Sequence, residues 1–89
     1  MSAKFSLGAL HATLNALAEI THDDILTALG RHAAGDWGEL DEEDRQANER
    51  ALLKDTRLVS RYRATNGTKF YIITEWDRSL TTVLLPEDY

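Results

Sequence analysis

The dipeptide Asn66-Gly67 constrains the fold more than any other feature of this sequence. It separates two stretches that fit a period of two, Leu58 to Arg63 and Lys69 to Glu75. Asn-Gly readily adopts the positive backbone angles of a tight hairpin turn, and alternation with a period of two is typical of strands. The sequence therefore predicts a β-hairpin in the C-terminal third of the chain.

Two further stretches extend this hairpin into a larger sheet. A second turn at Trp76 to Ser79 leads into a strand from Leu80 to Leu85, and Pro86 ends that strand because it has no backbone N–H to donate. Near the N-terminus, Phe5 to Ala12 alternates imperfectly and is a candidate fourth strand. The sequence thus predicts a C-terminal β-meander with one additional strand.

The turn lengths predict which residues pair and which faces they share. A two-residue turn at Asn66-Gly67 places Tyr62 opposite Tyr71, and a similar second turn sets Ile72 opposite Val83. In that register neither face of the sheet is polar. Since the helices can cover only one face, the other face either exposes an apolar patch or meets a partner. A homodimer through the sheet is one form of that contact.

The helices are predicted from caps and apolar spacing. Thr21 is a candidate N-cap for a helix from His22 to about Ala34, and Asp41 is a candidate N-cap for a second helix to about Lys54. Thr13 to Ile20 has enough helical spacing for a short helical turn. We therefore predict a single α+β domain over residues 1–89, with a three- to four-stranded antiparallel sheet and two helices packed on one face.

Composition limits the setting in which such a domain works. The chain has 89 residues, 28% of them charged, and no Cys, so it offers neither disulfides nor thiolate metal ligands. No stretch approaches the roughly 20 apolar residues of a membrane span, and the N-terminal residues are too interrupted for a signal sequence. The reducing cytoplasm is the predicted compartment, with no membrane contact.

The sequence contains no recognisable catalytic motif. His11, His22 and His32 are the candidates for acid–base chemistry or metal binding, but no H-x-x-x-H, G-x-S-x-G or P-loop spacing is present. We predict no catalytic residues, no cofactor and no metal site. A small enzyme, which would need a pocket holding a His and a carboxylate, is the least favoured alternative.

Acidic residues are concentrated in one segment. Between Asp36 and Asp44 there are six acids and no base. They either complement the N-terminus of the predicted second helix, which is the favoured interpretation, or imitate a phosphate backbone and occupy a basic site on another protein. A tryptophan in this turn is more typical of a core plug than of an interface anchor. The candidate protein-binding residues are Asp36, Trp37, Glu39, Glu42 and Glu43.

The predicted hairpin carries basic and aromatic residues that suggest an alternative function. Interleaved Arg and Tyr side chains can form a platform for single-stranded nucleic acid. An exposed strand edge with cross-strand pairs is the favoured interpretation, because the chain has fifteen acids against ten bases. The candidate nucleic-acid-binding residues are Arg57, Arg61, Arg63, Lys69 and Tyr71.

Three segments resemble a family of small uncharacterised proteins carried on plasmids and other bacterial mobile elements. They are His32 to Gly38, Ile72 to Ser79 and Thr81 to Tyr89, and the resemblance runs over nearly the whole chain. It implies an accessory protein of a mobile element in a bacterial cytoplasm and defines no catalytic residues. The leading hypothesis is a non-enzymatic interaction protein, favoured as a dimer, that inhibits a host nucleic-acid-handling or defence complex.

Overall fold

The computed structural model describes residues 3–89, which contain four strands, three α-helices and one short 3-10 helix. The predicted α+β fold is confirmed. No helix within these residues is both long and apolar enough to cross a membrane. The elements, in chain order, are β1 (Ala9–Ala12), α1 (Leu14–Glu19), α2 (His22–Ala33), α3 (Glu42–Lys54), β2 (Leu58–Arg63), β3 (Lys69–Thr74), β4 (Leu80–Leu84) and a short 3-10 helix (Pro86–Asp88).

The hairpin between β2 and β3 is present, but its predicted register is wrong by one residue. Tyr62 pairs with Phe70 instead of Tyr71. The loop is closed by a bond from the Ala64 N–H to the Thr68 carbonyl (2.8 Å), leaving three residues between them, with Gly67 in the left-handed region at φ 88°. Because side chains alternate along a strand, this shift moves every β2 side chain to the opposite face from the one expected.

The fourth strand is shorter than Phe5 to Ala12 and has the opposite direction to the one expected. The sheet order is β1-β4-β3-β2, and β1 runs parallel to β4, so the sheet is mixed and not wholly antiparallel. Gly8 precedes β1 at φ 65°, where a Cβ would collide with the carbonyls of Arg78 and Ser79. No local turn sets the direction of β1, because its partner strand lies at the other end of the chain.

Helices α1 and α2 pack on one face of the sheet. Each begins at a threonine: the hydroxyl of Thr13 accepts from Ala16 N (3.1 Å) and that of Thr21 accepts from Asp24 N (3.2 Å). Their apolar sides and the facing strands form the main core, which contains Ala16, Ile20, Ile25, Ala28 and Leu29 from the helices against Tyr62, Phe70, Ile72, Val83 and Leu85.

Helix α3, which the sequence predicted to pack on the same face as α2, instead lies along the outer edge of β2 and closes it. The buried side chain of Asn48 donates to the carbonyl of Val59 (2.8 Å) and accepts from the Val59 N–H (3.1 Å). Next along the edge, Arg61 N donates to the Trp37 carbonyl (3.1 Å) and Glu39 N donates to the Arg61 carbonyl (2.7 Å). The outward backbone groups of Val59 are therefore hydrogen-bonded by a side chain, and those of Arg61 by a short parallel bridge.

Candidate functional site

The sheet face opposite α1 and α2, here called the uncovered face, carries most of the predicted basic and aromatic site residues. The observed pairing places Arg61 beside Tyr71 and Arg63 beside Lys69 on this face. Ile73 and Leu84 form its apolar centre and are buried, although neither α1 nor α2 covers this face. The one-residue register shift brings Arg61 and Tyr71 together, because the expected register places them on opposite faces.

An open groove of about 650 Å³ lies between the uncovered face, α3 and the C-terminal residues. We call it the Arg–Tyr groove, defined by Arg57, Arg61, Tyr71 and Tyr89, which all line it. Apolar side chains of α3 and β2 also contribute to its walls, and Asp44 is the one acidic side chain among the lining residues. The groove thus combines two guanidinium groups, two phenol rings and apolar surface.

Arg57 and the two tyrosines form one connected cluster at this groove. The Arg57 Nη2 donates to the Tyr89 hydroxyl (2.9 Å), and its guanidinium carbon lies 5.9 Å from the centre of the Tyr89 ring. The Tyr89 ring in turn meets the Tyr71 ring edge to face, with centroids 5.7 Å apart. This arrangement leaves Arg57 exposed, so its guanidinium can reach a ligand without breaking a core contact.

The C-terminal residues are held in place by Asp88. Its carboxylate accepts from the Thr13 hydroxyl (2.6 Å) and from the Asn15 amide (2.8 Å), both at the start of α1. The hydrogen bond from Thr13 is the main reason why the pKa of Asp88 lies below its usual value. These bonds hold the residue next to Tyr89, whose side chain lines the Arg–Tyr groove.

The other two arginines of the hairpin are bound to the acidic segment. Arg61 Nε donates to the Glu39 carbonyl (3.0 Å), and Arg63 Nε lies 3.3 Å from a carboxylate oxygen of Glu39. Lys69 is exposed beside Arg63. Among residues 3–89, Arg57 and Lys69 thus form no ion pair and no side-chain hydrogen bond with an acidic residue.

Two of the predicted acidic residues are also neutralised locally. Asp36 accepts from two nitrogens of Arg31 (2.7 and 3.2 Å), which is the main reason why its pKa lies below the usual value. Glu39 is paired with Arg63, as described above. Glu42 and Glu43 are exposed in the first turn of α3, where the helix dipole favours negative charge.

Trp37 is buried, as expected for a core plug. It is 2% exposed, stacks on Phe5 (6.2 Å between centroids) and meets the ring of His32 edge to face (5.7 Å). Its indole N–H donates to a carboxylate oxygen of Glu49 (2.8 Å). The Trp37 ring therefore belongs to the interior and contributes no surface for a partner.

A buried chain of hydrogen bonds runs through His32. Thr81 donates to the Leu7 carbonyl (2.6 Å), so Thr74 must donate to Thr81 (2.7 Å) and accept from His32 Nε2 (2.9 Å). The Ser60 hydroxyl then donates to His32 Nδ1 (2.6 Å). The acceptor-only carbonyl at one end thus fixes the direction of every bond and the neutral tautomer of the ring.

This Ser60–His32 pair is structural and does not form a reactive centre. Both side chains are 0% exposed, so no substrate reaches them. Burial lowers the pKa of His32 to about 4, with the charge of Arg78 as the smaller cause, and the ring is neutral at pH 7. His11 and His22 are exposed, and within residues 3–89 no three His, Asp or Glu side chains cluster as metal ligands would.

No protein-family model matches the chain, and no curated protein or solved structure matches it either. Tyr89 is the groove residue that sequence analysis missed, since only the folded C-terminal segment brings it to Tyr71. Its aromatic character beside a basic hairpin is the one signal that could have indicated it.

Proposed function

We propose that this protein is a non-enzymatic interaction protein that binds a protein partner through the Arg–Tyr groove. The observation that supports this proposal is the convergence of Arg57, Arg61, Tyr71 and Tyr89 around one open groove on the uncovered face. Arginine and tyrosine are among the residues most enriched at energetically important interface positions. A carboxylate next to an aromatic or apolar side chain on the partner matches the chemistry of this groove.

The charges around the groove favour a protein segment over a nucleic acid. Asp44 lines the groove, and the exposed acids Glu42 and Glu43 lie in the same helical turn. A nucleic acid carries a phosphate on every nucleotide and is repelled by these carboxylates along its length. A peptide can instead place one or two acidic residues at Arg57 and Arg61 and keep the rest of its surface uncharged.

The cellular context of the proposal comes from the resemblance to mobile-element proteins. In its concrete form, the protein acts in a bacterial cytoplasm as an inhibitor of a host nucleic-acid-handling or defence complex. An acidic surface that imitates a phosphate backbone is the second way in which it could bind such a complex. Glu42 and Glu43 are the residues for that role, because Asp36 and Glu39 already have arginine partners.

Affinity capture with matched charge reversals tests the proposal. The bait protein is captured from a bacterial lysate with and without nuclease, as wild type, Arg57→Glu and Arg50→Glu. Arg50 is an exposed arginine of α3 that does not line the groove, so its reversal makes the same change in net charge elsewhere. We expect a stoichiometric protein that survives nuclease and is kept by Arg50→Glu but lost by Arg57→Glu.

Other outcomes would redirect or reject this function. Loss of the partner with Glu42→Lys/Glu43→Lys, but not with Arg57→Glu, would transfer the contact to the acidic turn of α3. Recovery of nucleic acid alone, with an affinity that falls steeply as salt increases, would support the hairpin as a nucleic-acid platform and reject the protein-binding groove.

A further inference from the structure

The outer edge of β1 is open, in contrast to the edge of β2. The N–H groups of Ala9 and Thr13 donate toward β4, to the carbonyls of Ser79 (2.9 Å) and Val83 (3.0 Å). Because backbone groups alternate in direction along a strand, the amides and carbonyls of Leu10 and Ala12 point away from β4. In the part of the chain that the structure describes, no strand pairs with this side.

An apolar groove of about 400 Å³ lies beside this edge, between β1 and the first turns of α2. Leu10, Leu17 and Leu26 line it although they are 55%, 49% and 65% exposed. The lining also includes His11 and His22 but no Asp, Glu, Lys or Arg. The molecule therefore presents leucine side chains and unpaired backbone groups on one continuous surface without Asp, Glu, Lys or Arg.

Strand edges of this kind are usually protected in monomeric proteins. Lysine, proline, a bulge or a covering segment normally prevents another strand from pairing with the edge. The sequence of β1, Ala-Leu-His-Ala, has none of the protective residues. Contiguous exposed apolar groups next to such an edge are typical of an interaction surface.

We propose that a second copy of this chain occupies the β1 edge, with the two β1 strands antiparallel about a two-fold axis that passes between their His11 residues. In this register, Leu10 N–H donates to the Ala12 carbonyl of the other copy and Ala12 N–H donates to its Leu10 carbonyl. Each pairing is repeated by symmetry, as an isologous contact requires. The sheet continues across both copies, and the leucine grooves adjoin on the same face.

The charge distribution favours a second copy over another partner. The chain has a net charge of −5, yet six acids lie between Asp36 and Asp44, on the segment that closes the opposite edge of the sheet. Pairing through β1 places these acids at the two far ends of the dimer, so copies meet through a surface that carries none of them. An acidic or basic partner, by contrast, has no charge to recognise in this groove.

The sequence predicts a homodimer through a sheet face, and we place that contact at a sheet edge instead. The uncovered face carries Arg61, Arg63 and Lys69, so a face-to-face dimer would bring the cations of both copies into one interface. The edge contact has no such repulsion. It also leaves the Arg–Tyr groove accessible, so the dimer and the proposed function are tested separately.

Sedimentation equilibrium over a range of protein concentrations tests the dimer. We expect the wild type to reach twice the mass of the chain, and Leu10→Glu to weaken dimerisation at least tenfold, because two carboxylates would then meet across the interface. Leu53→Glu is the matched control, because it makes the same substitution at a residue of α3, beside the opposite edge of the sheet. Leu53 is 87% exposed. The Leu53→Glu variant should dimerise like the wild type.

Amide hydrogen exchange provides a second measurement that does not depend on a variant. On raising the concentration through the dimer range, exchange of the Leu10 and Ala12 amides should slow, while exchange of the Val59 amide, already bonded to Asn48, should not change. A mass that stays monomeric at every concentration would overturn the proposal. So would a dimer that is unaffected by Leu10→Glu or that leaves exchange at Leu10 and Ala12 unchanged.

Discussion

The two edges of the sheet differ in whether their outward backbone groups have hydrogen-bond partners. Along β2, the side chain of Asn48 bonds both backbone groups of Val59, and the segment before α3 bonds both backbone groups of Arg61. Along β1, the outward groups of Leu10 and Ala12 are paired with no strand among residues 3–89. A chain that closes one edge with a buried polar side chain leaves the other with no protective charge.

This difference indicates where stability and association are located in the molecule. The closed edge is part of the core, because Asn48 and Trp37 are both buried there. An unpaired backbone group in that position costs about 1 to 3 kcal/mol, so the edge contributes directly to folding. At the open edge the same groups face solvent, cost little in the monomer and are available for pairing with another strand.

The largest expected effect is at Gly38, which forms the bridge to the closed edge. Gly38 has φ 77°, and a Cβ there would collide with the Arg61 carbonyl and approach Tyr62 Cδ1 to 2.7 Å. Gly38→Ala should therefore lower the free energy of unfolding by about 4 kcal/mol, from backbone strain and lost hydrogen bonds at Arg61. Chemical denaturation of the purified variant measures this loss.

Gly30→Ala is the matched control for Gly38→Ala. Gly30 lies in α2, and a Cβ at this position would have no neighbouring atom within 4 Å. Alanine should therefore raise the free energy of unfolding by about 0.5 to 1 kcal/mol, because it restricts the unfolded chain and favours the helix. A Gly38→Ala variant as stable as the wild type would mean that the bridge does not close the β2 edge.

The next effect concerns the buried hydrogen-bond chain in which His32 of α2 is bonded to Ser60 of β2 and Thr74 of β3. The pKa of His32 is about 4 in the folded state, below its ordinary value of 6.5, so between these values the unfolded state binds more protons. The stability contribution of the neutral ring is therefore complete above pH 6.5 and falls by about 3 kcal/mol as the pH decreases to 4. Denaturation at stepwise pH values measures this slope.

Two histidine variants identify the source of that slope. His32→Gln keeps a donor and an acceptor for Thr74 and Ser60 but does not titrate. This variant should be less stable at pH 7, and its free energy of unfolding should be nearly constant from pH 6.5 to 4. His22→Asn, at an exposed site, should keep the wild-type slope. If the stability of His32→Gln instead falls as much as that of the wild type between pH 6.5 and 4, the carboxylates and not His32 control stability in this range.

Local sequence signals predicted the elements well and their arrangement less well. The caps at Thr21 and Asp41 predicted α2 and α3 because side-chain capping depends only on neighbouring residues. The hairpin was predicted from Asn66-Gly67, but the same dipeptide fits both a two-residue and a three-residue loop. The choice between them depends on Tyr62 being buried against Phe70, which is a tertiary contact.

The candidate site was predictable in residue type but not in geometry. Arg57, Arg61 and Tyr71 stood out as basic and aromatic residues, whereas their meeting with Tyr89 requires the C-terminal segment to fold back. The parallel pairing of β1 has no sequence signal, because strand direction follows from a contact between distant segments. The buried role of His32 was equally hidden, since its partners Ser60 and Thr74 come from different strands.

The smallest of these effects tests the cap on the closed edge. Asn48→Ala removes both bonds to Val59 and leaves its N–H and carbonyl without their partner, so the free energy of unfolding should fall by about 2 kcal/mol. Gln46→Ala, at an exposed position of the same helix, controls for the loss of an amide and should change stability by less than about 0.5 kcal/mol. In Asn48→Ala, the hydrogen-exchange rate of the Val59 amide should rise toward the rate of the Leu10 amide in the monomer. Both edges would then have unprotected outward amides. If the Val59 amide stays protected without Asn48, the closure of β2 comes from α3 packing and not from this side chain.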